Sequence, residues 1–357
     1  MGKTLVYQAL LKAYRRLYGT EGSNETFSLA GAMESAKKVV LVPERGLESL
    51  ILTRSFIRGL RQRYPSASIT VVTPGEYSSV IDGEYWADRL IFYDDRSKNP
   101  FNKSLQRLVS ELRDGSFDIA IDLSYRHNLE TYLPVYLCGA PITMGFHDPS
   151  GTFRYSISLR AAEEDQPYLP RLWSLLRVLD IHPVRDVYHL PGQEAHTSTV
   201  WNSVEFGVQT QKDRLIGVFL DETEEGSIGN RKVLADLLKV LHAIPSKKIL
   251  LAQNRISHSV WHDLPKYDLF VLPRETIAKV ASILRGCHCV LTNNNGFALL
   301  MASIGGEVLS IAPRKAAEKL SLHQIPGIKF FALKGKEIPA GEISDYLRVT
   351  LKSKRAD

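Results

Sequence analysis

Residues 290–302 read VLTNNNGFALLMA, and the order of residue types in that stretch decides the fold. A strand at 288–292 ends on Thr292, the polar triplet Asn293, Asn294 and Asn295 follows, and Gly296 leads into an apolar helical run. A strand that passes through a short polar loop into a helix is the repeating unit of a parallel α/β sheet. The helix start also has chemical meaning. Its first amides lack partners inside the helix and its dipole favours negative charge, so a phosphate-bearing ligand fits there. Thr292 and the asparagines add neutral donors and acceptors, and Gly296 permits a ligand to approach the backbone closely. Asparagine is also a preferred N-cap, so the same residues read equally as a simply capped helix. The stretch by itself leaves both readings open.

The same alternation extends in both directions. A helical pattern at 276–284 precedes the stretch and a strand at 307–312 follows it, with a closing helix at 342–351. Upstream lie strands at 214–220, 248–252 and 268–272 and a helix at 232–243. The first half repeats the theme, with strands at 39–42, 68–72, 89–93, 117–123 and 143–146. Helices at 50–64, 102–113, 129–137 and 167–179 come between and after them, the first stopped by Pro65. Residues 182–206 are polar and turn-rich, with Pro183, Pro191 and Gly192, and mark a domain boundary. At 357 residues the chain exceeds what one core of about 250–300 residues usually fills. The expectation is two α/β units in series, each a parallel sheet covered on both faces. Ligands in such sheets sit beyond the carboxyl ends of the strands, so two facing units make an interdomain cleft.

Composition narrows the partners. The hydrophobic share of 44% supports two cores, and a net charge of +6 is too mild to argue for nucleic acid. It suits a phosphate-bearing ligand or an anionic membrane surface. Cys138, Cys287 and Cys289 are too few and too oddly spaced for a disulfide framework or a zinc site, which points to buried thiols in a reducing compartment. No apolar run reaches the length of a membrane span. Residues 3–18 form a basic amphipathic helix, suited to docking on the protein body or lying on a membrane surface, and 22–35 read as a linker.

Three other loops hold chemistry-bearing residues. Residues 43–49, PERGLES, place Glu48 beside a helix start, where a carboxylate either complements the helix dipole or acts as a general base. Arg126 and His127 follow the strand FDIAIDL at its carboxyl end, either holding an anionic acceptor or facing solvent. The acidic loop 221–226 suits solvent, or hydroxyl groups of a sugar. No GxGxxG follows the first strand, and there is no P-loop lysine motif, GxSxG elbow or clustered metal-ligand spacing. Dinucleotide oxidoreductases and P-loop enzymes are thereby disfavoured.

Over roughly residues 38–312 the sequence resembles the heptosyltransferases of glycosyltransferase family 9, bacterial enzymes that add heptose to the lipopolysaccharide inner core. Three stretches carry the resemblance in order and spacing. They are the first strand and loop with the helix ending Arg63-Tyr64-Pro65-Ser66-Ala67; FDIAIDL with Arg126 and then Met144-Gly145-Phe146; and residues 276–302. The resemblance implies an α/β fold of GT-B type, two Rossmann-like domains facing across a cleft. Residues 1–35 form the N-terminal helix and linker, 36–195 an acceptor domain, 205–335 a donor domain and 336–357 a C-terminal helix and tail. It implies inverting transfer from a nucleotide sugar, ADP-linked in the family, to a glycolipid or glycan acceptor, with no cofactor and no required metal. The cysteine usage points to the cytoplasm, residues 3–18 leave peripheral contact with the inner membrane open, and the mild charge argues against a nucleic-acid partner.

Carried over residue by residue, the resemblance makes Glu48 the general base, where the family has aspartate. Thr292, Asn293, Asn294, Asn295 and Gly296 become the donor-diphosphate loop, and Arg126 with His127 the acceptor contacts. The family's donor-loop aspartate is Asn294 here and its histidine is Leu299. Its donor-domain Lys-x-Trp is missing, and Arg231 and Lys232 are the nearest basic pair. The second reading is therefore a catalytically silent relative that binds a nucleotide or glycan, or acts as a scaffold. A nucleotide-sugar epimerase of the same fold is a third.

Overall fold

The structure is a computed structural model. It describes residues 29–81, 87–93, 103–124, 127–160, 167–182, 214–221, 237, 239–241, 243–244, 247–255, 269–272, 275–333 and 337–353. The chain divides into two compact units, Met1–Val187 and Tyr188–Asp357.

The first unit runs β1 (Lys38–Val42), α1 (Leu47–Arg63), β2 (Ser68–Pro74), β3 (Arg89–Tyr93), α2 (Lys103–Asp114) and β4 (Ile119–Asp122). It continues with α3 (Leu129–Leu137), β5 (Ile142–Phe146), β6 (Ile157–Leu159) and α4 (Tyr168–Val178). The second runs β7 (Arg214–Asp221), β8 (Lys247–Arg255), β9 (Leu269–Leu272), α5 (Ile277–Arg285), β10 (Cys289–Thr292) and α6 (Asn295–Ser303). Then come β11 (Val308–Ala312), α7 (Arg314–Leu320), β12 (Ile328–Ala332) and α8 (Ala340–Ser353).

Each unit contains a six-stranded sheet, in the orders β3-β2-β1-β4-β5-β6 and β12-β11-β10-β7-β8-β9, with every pairing parallel. Counted from the first strand of each unit, the two orders are the same doubly wound arrangement. The central strands are buried on both faces, as a sheet between two helical layers requires. β4, β10 and β11 are buried throughout, and β1 exposes only Lys38. That is why these strands read as largely apolar runs, in which Asp122, Thr292 and Ser310 are the buried polar exceptions. On one face of the first sheet Val40, Val42, Val72, Ile91 and Ala120 pack with Leu108 and Leu112 of α2 and Val135 of α3. In the second, Ile216, Val218, Leu291, Leu309 and Ile311 pack with Ile343 and Leu347 of α8.

The edges differ from the sequence expectation. β6 and β12 are additional strands, and α7 an additional helix. β6 is three residues long with none buried, and β12 is only partly buried, so neither has the uninterrupted apolar run that marks a central strand. α7, RKAAEKL, is short and polar. The segment expected as a linker contains a short helix, Leu29–Glu34. α1 starts at Leu47, so Glu48 lies within its first turn. The N-terminal amphipathic helix, the 183–206 boundary and most of the helix expected at 232–243 lie outside the described residues. Among the described residues no helix is long and apolar enough to cross a membrane.

The strand order fixes where a ligand can sit. In each sheet the chain leaves two neighbouring strands in opposite directions: β1 toward β2 and β4 toward β5, and β7 toward β8 and β10 toward β11. Diverging connections leave a crevice at the carboxyl ends of those pairs.

Candidate functional site

The loops of interest fall at these two switch points. In the first unit β1 delivers Pro43 to Gly46 into α1. Gly46 has φ 137°, a conformation that side chains resist, and a Cβ there would lie 2.8 Å from Glu48 Oε1. The Glu48 carboxyl group therefore turns back over the Gly46 α-carbon, beside the positive end of the helix dipole. The sequence placed Glu48 at a helix start. It did not show this folded-back pose, which needs the glycine two residues before it.

Next door, β4 ends on Asp122, which is only 2% exposed. Its carboxylate accepts from the Ser124 amide (2.8 Å), the Thr131 hydroxyl (3.2 Å) and the Tyr155 hydroxyl (2.7 Å). Burial nevertheless pushes its pKa up, against the lowering effect of those donors. Asn128 caps α3 by accepting from the Thr131 amide at 2.9 Å. The β4–α3 connection is thus held at both ends. His127 lies within it, half-buried, with its ring 6.3 Å from Phe153 and inclined by 26°. Asp148 accepts from the Ser150 amide and hydroxyl and from the Thr152 and Phe153 amides, at 2.6–3.0 Å. Burial alone would raise its pKa, but these donors and the nearby His127 charge outweigh it and the net shift is downward. Arg126 lies outside the described residues.

Tyr168 of α4 joins the two loops. Its hydroxyl donates to the Leu123 carbonyl at 3.0 Å and is 2.5 Å from Ser49 Oγ. Nothing in the sequence of α4 marked it, because its partners are 45 and 119 residues away.

In the second unit Thr292 is fully buried at the end of β10, and its hydroxyl oxygen accepts from the Asn294 amide at 3.0 Å. Asn294 caps α6, its side-chain oxygen accepting from the Phe297 amide at 2.7 Å. Both readings of this stretch therefore describe part of it: Asn294 is used as a cap. That cap serves the third amide of the helix and leaves those of Asn295 and Gly296 as the first-turn donors without an intrahelical acceptor. Asn293 is buried, Asn295 is half-buried and Gly296 is buried. Two polar atoms here make no hydrogen bond among the described residues: Asn295 Oδ1 and the hydroxyl of Ser310, which pairs with Thr292 in register. Phe219, the β7 partner of Thr292, stacks on Phe297 with ring centroids 3.8 Å apart and planes 11° apart. Leu299 is fully buried. Arg231 and Lys232 lie outside the described residues. Among the described residues no three His, Cys, Asp or Glu side chains group as metal ligands.

The fold is that of the GT-B glycosyltransferases, two Rossmann-like units in one chain. Among solved structures, the chain is similar to a family 9 glycosyltransferase from Veillonella parvula DSM 2008, at TM-score 0.70 and 17% identity over 89% of this chain and 97% of that one. It is similar to the ADP-heptose lipopolysaccharide heptosyltransferase II of E. coli, at TM-score 0.65 and 15% identity over 89% and 100%. It is also similar to the E. coli heptosyltransferase WaaC solved with ADP, at 0.62 and 14% over 88% and 98%. No family model matches the sequence, and no curated protein matches it.

Proposed function

We propose that the chain is a glycosyltransferase that moves a heptose-like sugar from a nucleotide-sugar donor to a glycan acceptor of the lipopolysaccharide core or a related envelope glycan. The observation that carries the reading is the difference in chemistry between the two switch points, one after the first strand of its unit and one after the fourth. The switch point of the second unit ends in a helix start with neutral donors, Thr292 to Gly296, suited to a diphosphate. That of the first unit ends in a carboxylate, Glu48, suited to proton removal. Similarity to structures that include one solved with ADP supports an ADP-linked donor.

In this reading residues 205–335 bind the donor, through Thr292, Asn293, Asn294, Asn295 and Gly296 with Arg231 and Lys232. Residues 36–195 bind the acceptor, through Arg126 and His127. Glu48 takes the proton of the acceptor hydroxyl as its oxygen attacks the anomeric carbon. The bond from that carbon to the diphosphate breaks on the opposite face, which inverts the configuration, and the helix amides stabilise the leaving diphosphate's charge. The transfer needs no metal in this scheme. It takes place in the cytoplasm, with residues 3–18 either docked on the protein body or in peripheral contact with the inner membrane.

A thermal-shift panel of ADP-, UDP- and GDP-sugars tests the donor. A ligand at 100 times its dissociation constant adds about 2.7 kcal/mol of stability. The expected result is a clear shift with ADP-sugars; no shift with any nucleotide sugar counts against the reading. One observation favours a silent, nucleotide-binding relative instead: Leu299, where the resembling family has histidine, is fully buried and offers no polar group. Donor binding without transfer to any acceptor supports that second reading.

A further inference from the structure

Tyr168 is 3% exposed, and its phenol has one hydrogen to give. That hydrogen goes to the Leu123 carbonyl, so the Ser49 hydroxyl must be the donor in the 2.5 Å contact with the phenol oxygen. The result is a directed chain, from Ser49 in the first turn of α1, through Tyr168 of α4, to the backbone just past β4. Ser49 is itself held, because its carbonyl accepts from the Thr53 hydroxyl at 2.8 Å. Burial raises the phenol's pKa, with the Ser49 bond opposing and the charges of Glu44, Glu48 and Asp122 raising it further, so the hydroxyl stays protonated. Glu44 comes from the β1–α1 connection, Glu48 from the first turn of α1 and Asp122 from the end of β4. Tyr168 therefore stands where the two loops of the first switch point meet.

We propose that the Tyr168 hydroxyl is a positioning residue that fixes the first turn of α1, with Glu48, relative to the backbone at the end of β4, Leu123 and Ser124. It does so without touching substrate. The assignment rests on the reading of Glu48 as the base, but the clamp itself can be measured without activity.

Tyr168→Phe keeps the ring and removes the hydroxyl. Amide exchange at Leu50 and Ser124 is expected to quicken together by about tenfold, the scale of two modest hydrogen bonds, with the amide of Val40 in β1 unchanged. Ser49→Ala is expected to quicken both amides less, and to add nothing to Tyr168→Phe. If either amide keeps its protection in Tyr168→Phe, the clamp is overturned and the hydroxyl only completes the core. With ADP-heptose as donor and a heptose-free lipopolysaccharide core as acceptor, turnover in Tyr168→Phe is expected to fall about tenfold at unchanged donor KM. Faster exchange with unchanged turnover overturns the positioning role. A Glu48→Gln variant with full turnover, beside a slowed Tyr168→Phe, removes Glu48 as base and leaves the clamp standing.

Discussion

Tyr155 donates its phenolic hydrogen to Asp122 across 2.7 Å, joining the loop before β6 to the end of β4. The bond comes with a cost. Asp122 is almost fully buried, and burial raises its pKa even with three donors in place. An unfolded aspartate titrates near 3.9. Since the folded value is higher, the group's contribution to stability is complete below about 4 and is lost as pH rises through the folded value. Asp122→Asn removes that titration, and the hydroxyls of Tyr155 and Thr131 can turn to accept from the new amide. The variant is expected to lose less stability than the parent as pH rises from about 4 toward neutrality. Asp122→Ala removes the titration as well, but it leaves the Ser124 amide and the Tyr155 hydroxyl without this acceptor, while the Thr131 hydroxyl keeps Asn128 Oδ1, so it is expected to be less stable than Asp122→Asn by about 1–3 kcal/mol at every pH. Thermal unfolding across pH separates the two, and equal pH slopes for parent and Asp122→Asn contradict the argument.

The Phe219–Phe297 stack makes a second prediction, local to the other unit. Both rings are buried, and they join β7 to the first turn of α6. Phe297→Ala opens a cavity directly under the proposed diphosphate loop and is expected to cost about 3–5 kcal/mol. Phe297→Leu is expected to cost less. A double-mutant cycle of Phe219→Leu with Phe297→Leu should show a coupling of about 0.5–1.5 kcal/mol from the stacked geometry. Denaturant unfolding provides the measurement, and zero coupling means the rings pack independently.

What the sequence made legible follows from which physical signals are local. The central strands were readable because a strand buried on both faces must be apolar along most of its length, as 39–42 and 289–291 are. β6 and β12 were not readable, because an edge strand carries no such run. Asn294 as a cap and Glu48 at a helix start are relations between residues a few positions apart, and the sequence displays them. Tyr168 meets Ser49 across 119 residues and Tyr155 meets Asp122 across 33, and no local pattern encodes either. The sheet order of the first unit, which puts β1 beside β4 and runs on from β4 through β5 to β6, makes those meetings happen.

Asn294 gives a prediction that separates capping from binding. Asn294→Ala loses the bond to the Phe297 amide and is expected to destabilise by about 1 kcal/mol, whether or not any ligand binds. Gly296→Val tests the ligand instead. A branched side chain in the first turn of α6 is expected to block close approach of a diphosphate and weaken ADP binding at least tenfold. Calorimetric titration with ADP reads both variants. ADP bound equally well by Gly296→Val puts the diphosphate somewhere other than this loop.

The last prediction decides between a transferase and a silent relative. Glu48 lies in the first turn of α1 with its carboxyl group turned back over Gly46, whose positive φ and lack of a side chain allow that pose. A carboxylate at a helix start is stabilised by the dipole by about 0.3–1 kcal/mol, so Glu48→Gln is expected to lower stability by no more than that. If Glu48 is the general base, the same change is expected to lower turnover by about 10²–10⁴-fold, because glutamine keeps the shape and cannot take a proton. Donor binding, which the reading assigns to the other unit, is expected to stay the same. Gly46→Ala should act through position rather than charge. The new methyl would meet Glu48 at 2.8 Å in a backbone conformation that alanine resists, so the carboxyl group must move. Its turnover is expected to fall while the Glu48 proton remains titratable in the pH–rate profile. A small loss of stability with full turnover in Glu48→Gln would leave the carboxylate as a dipole partner only, and the base would have to be sought among the other carboxylates near Tyr168, beginning with Glu44.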